Sequence, residues 1–280
     1  MEPRKVNEIK RKLRIAAEGF FSSIQDVEIR ELFEKYAFIA GGAIASLILD
    51  EKPNDYDFYF KNPEACYRVV KYFINQMPDA GSECRDIQQK VDGVSVFVSH
   101  GIHKVEKTGQ KYQPVAVTSN AFSFTDEVQF VMRFVASPDE IKKNFDFEHS
   151  KGIYDYGEDK LIVSEETEKA IVNKRLIFTG SEYPLASLIR TRKFISRGWK
   201  INAGQYLKIA LQLNQLDLSD PMVLREQLVG VDLFHFADFL EKLQTVGMDN
   251  IDFEQNNDHL FNMIDEAFQR SKDEEDQEEE

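Results

Sequence analysis

Apolar residues recur at helical spacing through the first 36 positions. Val6, Ile9 and Leu13 mark a basic first helix, and Ile24 to Tyr36 marks a second. Ala37 to Ala40 (AFIA) is a short apolar run that ends in Gly41-Gly42, the pattern of a buried strand. Ala43 to Leu49 predicts a short helix stopped by Asp50 and Pro53. Asp55 to Phe60 (DYDFYF) alternates polar and aromatic residues and predicts a strand. Asn62-Pro63 places an N-cap before a proline at the first helical position, opening a helix to about Met77. Further strands are predicted at Gly93 to Val98, Val115 to Thr118, Ala121 to Phe124 and Val128 to Val135. Ser137-Pro138 repeats the cap-then-proline signal for a short helix to about Lys143, and FDFEH after Asn144 predicts a short strand.

From about Ser164 the strand alternation gives way to helical spacing. Helices are expected at Ser164 to Asn173, Pro184 to Arg197, Asn202 to Leu213, Pro221 to Leu228, Leu233 to Val246 and His259 to Arg270. The pattern predicts an α+β chain: N-terminal helices (1–36), an α/β head with a mixed sheet (37–160), then a helical neck and C-terminal domain (161–270). No Gly/Ser-rich linker separates head from neck, so the two are expected to pack together. Ser271 to Glu280 has seven acids against one lysine, −6 of the net −14, and is expected to be a disordered acidic tail.

Composition narrows the possible functions. No apolar run approaches the roughly 20 residues of a membrane span, and no apolar stretch follows the basic N-terminus as in a secretory signal. Cys66 and Cys84 form no CxxC and no disulfide framework, which predicts a reducing, cytoplasmic setting. His100 and His103 have metal-pair spacing but lie in a predicted loop with no further ligand. No GxxxxGK[ST] or GxSxG motif is present. The global charge is not that of a nucleic-acid binder, yet Tyr183 to Leu216 contains no acid and carries Arg190, Arg192, Lys193, Arg197, Lys200 and Lys208. That stretch reads either as a solvated helix face or as a contact for phosphates or an RNA end.

The chemistry concentrates in FIAGGAIASLILDEKPNDYDFYF, from Phe38 to Phe60. Asp55 and Asp57 alternate to one face of their strand, where two carboxylates repel unless a cation lies between them. Magnesium takes one or two carboxylates together with phosphate oxygens. Gly41 and Gly42 allow a phosphate close to the backbone at the start of a helix. Strand, Gly-Gly, helix and then Asp-x-Asp on the next strand, with twelve residues between Gly42 and Asp55, resembles the nucleotidyltransferase superfamily.

Within that superfamily the chain resembles the head and neck of the bacterial tRNA CCA-adding enzymes and poly(A) polymerases. Their GGxVRDxLLGxxPxDxDh is matched by GGAIASLILDEKPNDYD. Asp146 to Tyr154 (DFEHSKGIY) resembles their DFTINALAY. Glu182 to Ile201 (EYPLASLIRTRKFISRGWKI) resembles their neck segment EDPLRILRAVRFAARLGFxI when one residue is inserted. The chain also resembles nucleotidyltransferases carried by tailed phages. The resemblance implies transfer of an NMP from an NTP to an acceptor hydroxyl with release of pyrophosphate. It implies magnesium or manganese on Asp55 and Asp57, with an RNA end such as that of tRNA as acceptor. The apolar-acid-apolar form of Phe145-Asp146-Phe147 adds Asp146 as a candidate third metal ligand, although the resembled enzymes rely chiefly on two carboxylates. Gly41, Gly42, Ser46, Arg190, Lys193 and Arg197 become the nucleotide-binding candidates. Asp146 reads either as a third catalytic carboxylate or as a hydrogen-bonding residue. His149 reads as structural or catalytic.

The departures matter as much. Ala45-Ser46 replace the family's Arg-Asp after the glycines. Glu182, Tyr183 and Ala186 replace the EDxxR residues that read the incoming base, and Asn144-Phe145 replace the arginine before DFT. Ordered CCA addition is therefore not expected, and Tyr183 remains as a ring able to stack on a base. Transfer to a protein or small molecule, or a non-catalytic binding protein on the same fold, are the alternative readings.

Overall fold

The computed structural model describes residues 1–99 and 102–228. Helices α1 (Pro3–Ser23) and α2 (Val27–Tyr36) lead into β1 (Ala37–Ala40), α3 (Gly42–Ile48), β2 (Tyr56–Phe60) and α4 (Pro63–Ile74). Then follow α5 (Ala80–Glu83), β3 (Cys84–Gln89), β4 (Val94–Val98), β5 (Ile102–Lys104), β6 (Pro114–Thr118), β7 (Ala121–Phe124) and β8 (Val128–Val135). The chain continues through α6 (Pro138–Ile141), β9 (Ile153–Asp155) and β10 (Lys160–Ile162) to α7 (Glu165–Val172), α8 (Pro184–Ser196), α9 (Ala203–Leu213) and α10 (Pro221–Gln227).

Eight strands form one sheet in the order β10-β9-β1-β2-β8-β7-β6-β5, while β3 and β4 pair separately. The β2–β8 pair is parallel and the other pairs in the large sheet are antiparallel. The sheet is mixed and is followed by helices, as the alternation pattern predicts. The cap signal at Asn62 holds in atomic detail, and Ser164 and Asn202 cap the helices expected to begin there. Asn62 Oδ1 accepts from the Ala65 amide at 2.9 Å, Ser164 Oγ from Thr167 at 3.0 Å, and Asn202 Oδ1 from Gln205 at 3.1 Å. Ser137 and Glu140 form a reciprocal capping box.

One face of the sheet carries the main core. Phe58 and Phe60 of β2 point into it and meet Phe20, Phe21, Phe33 and Phe130. Ile9, Leu13, Ala17 and Phe20 repeat at helical spacing and bury α1 in that same core, so residues 1–36 are continuous with the head. The other face holds a smaller cluster of Phe38, Ala40, Ile141 and Ile153, with Tyr59 and Phe145 packed against it. That face carries the candidate chemistry.

Three local expectations change. FDFEH is not a strand: Phe147 makes one bridge with Phe178, and a 3₁₀ turn follows at Glu148–Ser150. Its backbone bonds go to residues 177–179 instead of a regular ladder, with Glu148 donating to Ile177 O and Thr179 to Asp146 O, each at 2.9 Å. His103 lies on β5 rather than in a loop, buried, with Nε2 2.8 Å from Pro78 O. Strands β3, β5, β9 and β10 are additions to the predicted set. Cys66 and Cys84 are buried free thiols, and burial pushes that of Cys84 up to about 11. His100, the helices expected at Leu233 to Val246 and His259 to Arg270, and the acidic tail lie outside the described residues.

Candidate active site

The site begins where β1 turns into α3. Gly41 has φ +90° and ψ −142°, a conformation that side chains with a Cβ rarely adopt. Its amide donates to Gly152 O at 3.3 Å. A Cβ at Gly41 would lie 3.5 Å from Asp57 Oδ2 and 3.8 Å from Phe145 Cε1, so the Asp57 carboxylate sits directly against the turn. The ladder explains this approach, because Ala40 on β1 pairs with Asp57 on β2. Gly42 is exposed, with open space where its side chain would be. Ser46 lies one turn further along α3, half-buried.

Asp55 is exposed and immediately precedes β2, two residues before Asp57 and on the same face. Burial, and then the Asp55 carboxylate beside it, push the Asp57 carboxyl well above the usual range, against the pull of Lys193 on α8. Tyr59 continues the same face. It stacks on Phe38 at 5.7 Å and meets Phe145 edge-on at 5.9 Å. Burial and the charges of Asp57 and Asp55 hold its phenol well above its ordinary value, so it stays an O–H donor. Tyr59 was not among the predicted site residues, although one more step of the DYDFYF alternation places it there.

Asp146 faces the same region from the segment after α6. One carboxylate oxygen accepts from Ser181 Oγ at 2.7 Å and the other is ion-paired to Arg190 of α8. Among the described residues, no group of three His, Cys, Asp or Glu side chains is placed to hold one metal ion. Asp55 and Asp57 share one face of β2, while Asp146 is engaged by Arg190. Lys193 is exposed on α8, and Arg197 caps that helix one turn beyond it.

At the start of α8, the Arg133 guanidinium of β8 lies 4.9 Å above the Tyr183 ring and donates to its hydroxyl. One face of the ring expected to stack on a base is therefore covered. Arg133 carried no motif that would have singled it out in the sequence.

His149 is buried among Trp199 at 4.2 Å, Phe194 at 4.7 Å and Phe147 at 6.0 Å. Its Nε2 is 3.3 Å from Ser150 Oγ, and Nδ1 has no partner among the described residues. Burial pushes its pKa down to about 3, so the structural reading holds and the ring packs head against neck as a neutral group. The unfolded chain binds this proton near pH 6.5 and the folded chain does not. Stability is therefore lost as pH falls from about 6.5 toward 3, by up to about 1.4 kcal/mol per pH unit. Replacing His149 with Phe should remove that slope, which denaturant unfolding at pH 7.5 and pH 5 would register as a difference of about 2 kcal/mol. Parallel pH profiles for the two proteins would contradict it.

A model of the Gabija anti-defense 2 family matches residues 11–174, from α1 through α7. The chain belongs to the Gabija anti-defense 2 family. A protein of Bacillus phage SPbetaL7, "Gabija anti-defense 2", is 22% identical over 204 residues, covering 72% of this chain and 44% of that protein. The chain thus spans under half the length of the curated relative it matches. Solved structures also match. The Thermotoga maritima CCA-adding enzyme complexed with tRNA gives a TM-score of 0.40 at 12% identity, covering 92% of this chain and 68% of that one. A tRNA-processing enzyme with CTP gives 0.42 at 17%, covering 78% and 54%.

Proposed function

We propose that this member of the family is a metal-dependent nucleotidyltransferase, moving an NMP from an NTP to an acceptor hydroxyl, and that its anti-defense action runs through that transfer. The observation that carries the reading is the contact of the Gly41 turn with Asp57, with Asp55 on the same face two residues away. Phosphate-cradling backbone and metal-binding carboxylates are then neighbours.

The residues fit a hard divalent cation. The donors are carboxylate oxygens, and two of them suffice when substrate phosphate supplies the rest, as magnesium prefers. Burial first and the neighbouring Asp55 charge second raise the Asp57 carboxyl, and a cation between the two carboxylates would offset both. When bound between Asp55 and Asp57, magnesium or manganese supplies charge neutralisation at the α-phosphate and lowers the pKa of the acceptor hydroxyl. The chain's own groups do the rest. Gly41 and Gly42 admit the triphosphate to the backbone, and Lys193 brings positive charge to Asp57. Ser181 donates to Asp146, which ion-pairs with Arg190, and this makes Asp146 a positioning residue for that guanidinium. No covalent intermediate is needed, because positioning and charge account for the catalysis.

The two glycines separate binding from folding. Gly41→Ala forces a Cβ into a region reserved for glycine and should cost ~1–3 kcal/mol of stability. A Cβ at Gly42 meets nothing within 4 Å, so Gly42→Val should leave stability within about 0.5 kcal/mol, yet weaken NTP binding by obstructing the backbone. Calorimetry giving wild-type NTP affinity for Gly42→Val would move the triphosphate elsewhere.

The acceptor we assign is an RNA end, supported by the acid-free stretch of α8 and α9. Strict C-then-A selection is not part of the proposal, since Tyr183 and Ala186 replace the base-reading pair and Arg133 covers one Tyr183 face. A second reading, a non-catalytic nucleotide-binding inhibitor, is favoured by one observation: Asp146 is engaged by Arg190 and adds no third carboxylate to the pair. Incubating the protein with each labelled NTP, magnesium or manganese, and host RNA plus host protein tests both. Label in RNA supports the proposal, label in protein reassigns the acceptor, and no label with intact NTP binding supports the inhibitor. A tRNA lacking its 3′ end that receives two C and one A, then stops, would restore the CCA-adding assignment.

A further inference from the structure

A cavity of about 230 Å³ opens between the 3₁₀ turn that follows α6 and the start of α7. It is lined by Lys142, Lys143, Glu148, Lys151, Ser164 and Thr167. We propose that it is a phosphate-binding pocket, separate from the Asp55–Asp57 pair, that takes an oligophosphate of the pyrophosphate class. Three lysines line it against one glutamate, their stems forming much of the wall and their ammonium groups within reach of its mouth. Each ammonium carries three donors, nine in all against the about four acceptor sites of the one lining carboxylate. Lys142 pairs with Asp139 at 3.1 Å, but that carboxylate is 88% exposed and in competition with water. Lys151 pairs with Glu148 at 3.0 Å.

Glu148 is a strut in this arrangement. One of its oxygens faces Lys151 and the other accepts from Thr167 Oγ1 at 2.8 Å, while Thr167 Oγ1 is 2.9 Å from Ser164 Oγ. Of the three acids on the first turn of α7, Glu165 pairs with Lys169 and Glu168 with the N-terminal amine at 2.6 Å, while Glu166 is exposed to solvent. The pocket wall is also continuous with the glycine turn. Lys151 precedes Gly152, whose carbonyl receives the Gly41 amide, and Phe145, two residues after Lys143, packs on Gly41. An oligophosphate held by these lysines lies beside the backbone that approaches the nucleotide site.

The test needs neither metal nor transfer, so it stands apart from the activity proposed above. Pyrophosphate is titrated into the full chain by calorimetry with EDTA present. Saturable binding is expected, weakened about tenfold by Lys143→Gln with Lys151→Gln, because each lost ammonium removes a charge-assisted hydrogen bond. Lys143 is exposed, so Lys143→Gln alone keeps the fold and should still weaken binding. Glu148→Gln retains an acceptor for Thr167, removes the opposing charge, and should tighten binding several-fold. Asp55→Asn with Asp57→Asn should leave it intact. A 5′-phosphorylated dinucleotide in the same cell separates the sources: weaker binding than pyrophosphate supports a free oligophosphate, and tighter binding overturns that in favour of a polynucleotide backbone. No saturation by wild type, or equal affinity in the lysine variants, would also overturn it.

Discussion

A protein carrying Asp55→Asn and Asp57→Asn should lose nucleotide transfer by at least about three orders of magnitude, ~4 kcal/mol of transition-state stabilisation. The same protein should be more stable than wild type when no metal is present. Both effects have one cause. Asp57 is held against the Gly41 turn with Asp55 beside it, and its carboxyl is pushed well above the usual range by burial and by that neighbour. An acid whose folded-state pKa is raised costs stability once ionised, so the penalty grows as pH rises through that value. Asparagine keeps the size and removes the charge. Activity lost together with stability gained is the signature of a site strained for function. If steady-state turnover survives in the double variant, the metal pair has been assigned to the wrong residues.

Phe20→Ala should destabilise the chain by ~3–5 kcal/mol, the range for deleting a buried aromatic. Phe20 is fully buried, with ring centroids of Phe124 at 5.1 Å, Phe33 at 5.3 Å, Phe58 at 5.5 Å and Tyr112 at 5.7 Å. Phe58 is the residue after Asp57, so α1 braces the inner face of the strand whose outer face carries the site. Denaturant unfolding reads the loss directly. A cost below about 1 kcal/mol would mean that the N-terminal helices do not share the head's core.

The parts of the fold legible in the sequence were those governed by local rules. AFIA, AFSF and VQFVMRFV appear as β1, β7 and β8 because their apolar runs or alternation were bounded by turn residues. The caps at Asn62 and Ser137 were readable because each side chain bonds within its own first turn and a proline follows it. Strands β9 and β10 were not, since three residues carry too little periodicity and their pairing depends on β1. FDFEH misled for the opposite reason. Its alternation is real, but its partner at 177–179 allows a single bridge before the turn.

The candidate site divides the same way. Gly41, Asp55 and Asp57 were legible because strand period and turn chemistry place them. The role of Asp146 was not, because it depends on Arg190 forty-four residues away, and neither residue's local pattern encodes that ion pair. The Arg133–Tyr183 stack also joins a strand to a neck helix and exists only in three dimensions. Tyr59 could have been read from its face alone.

The proposed activity requires that Asp55, Asp57 and the Gly41–Gly42 turn form one nucleotide and metal site. A crystal structure with manganese and a non-hydrolysable NTP analogue, using anomalous scattering to locate the metal, tests this most directly. Manganese between the Asp55 and Asp57 carboxylates, with the triphosphate against Gly41 and Gly42, is the predicted result. Manganese elsewhere, or an analogue bound away from the glycine turn with both carboxylates bare, would contradict it.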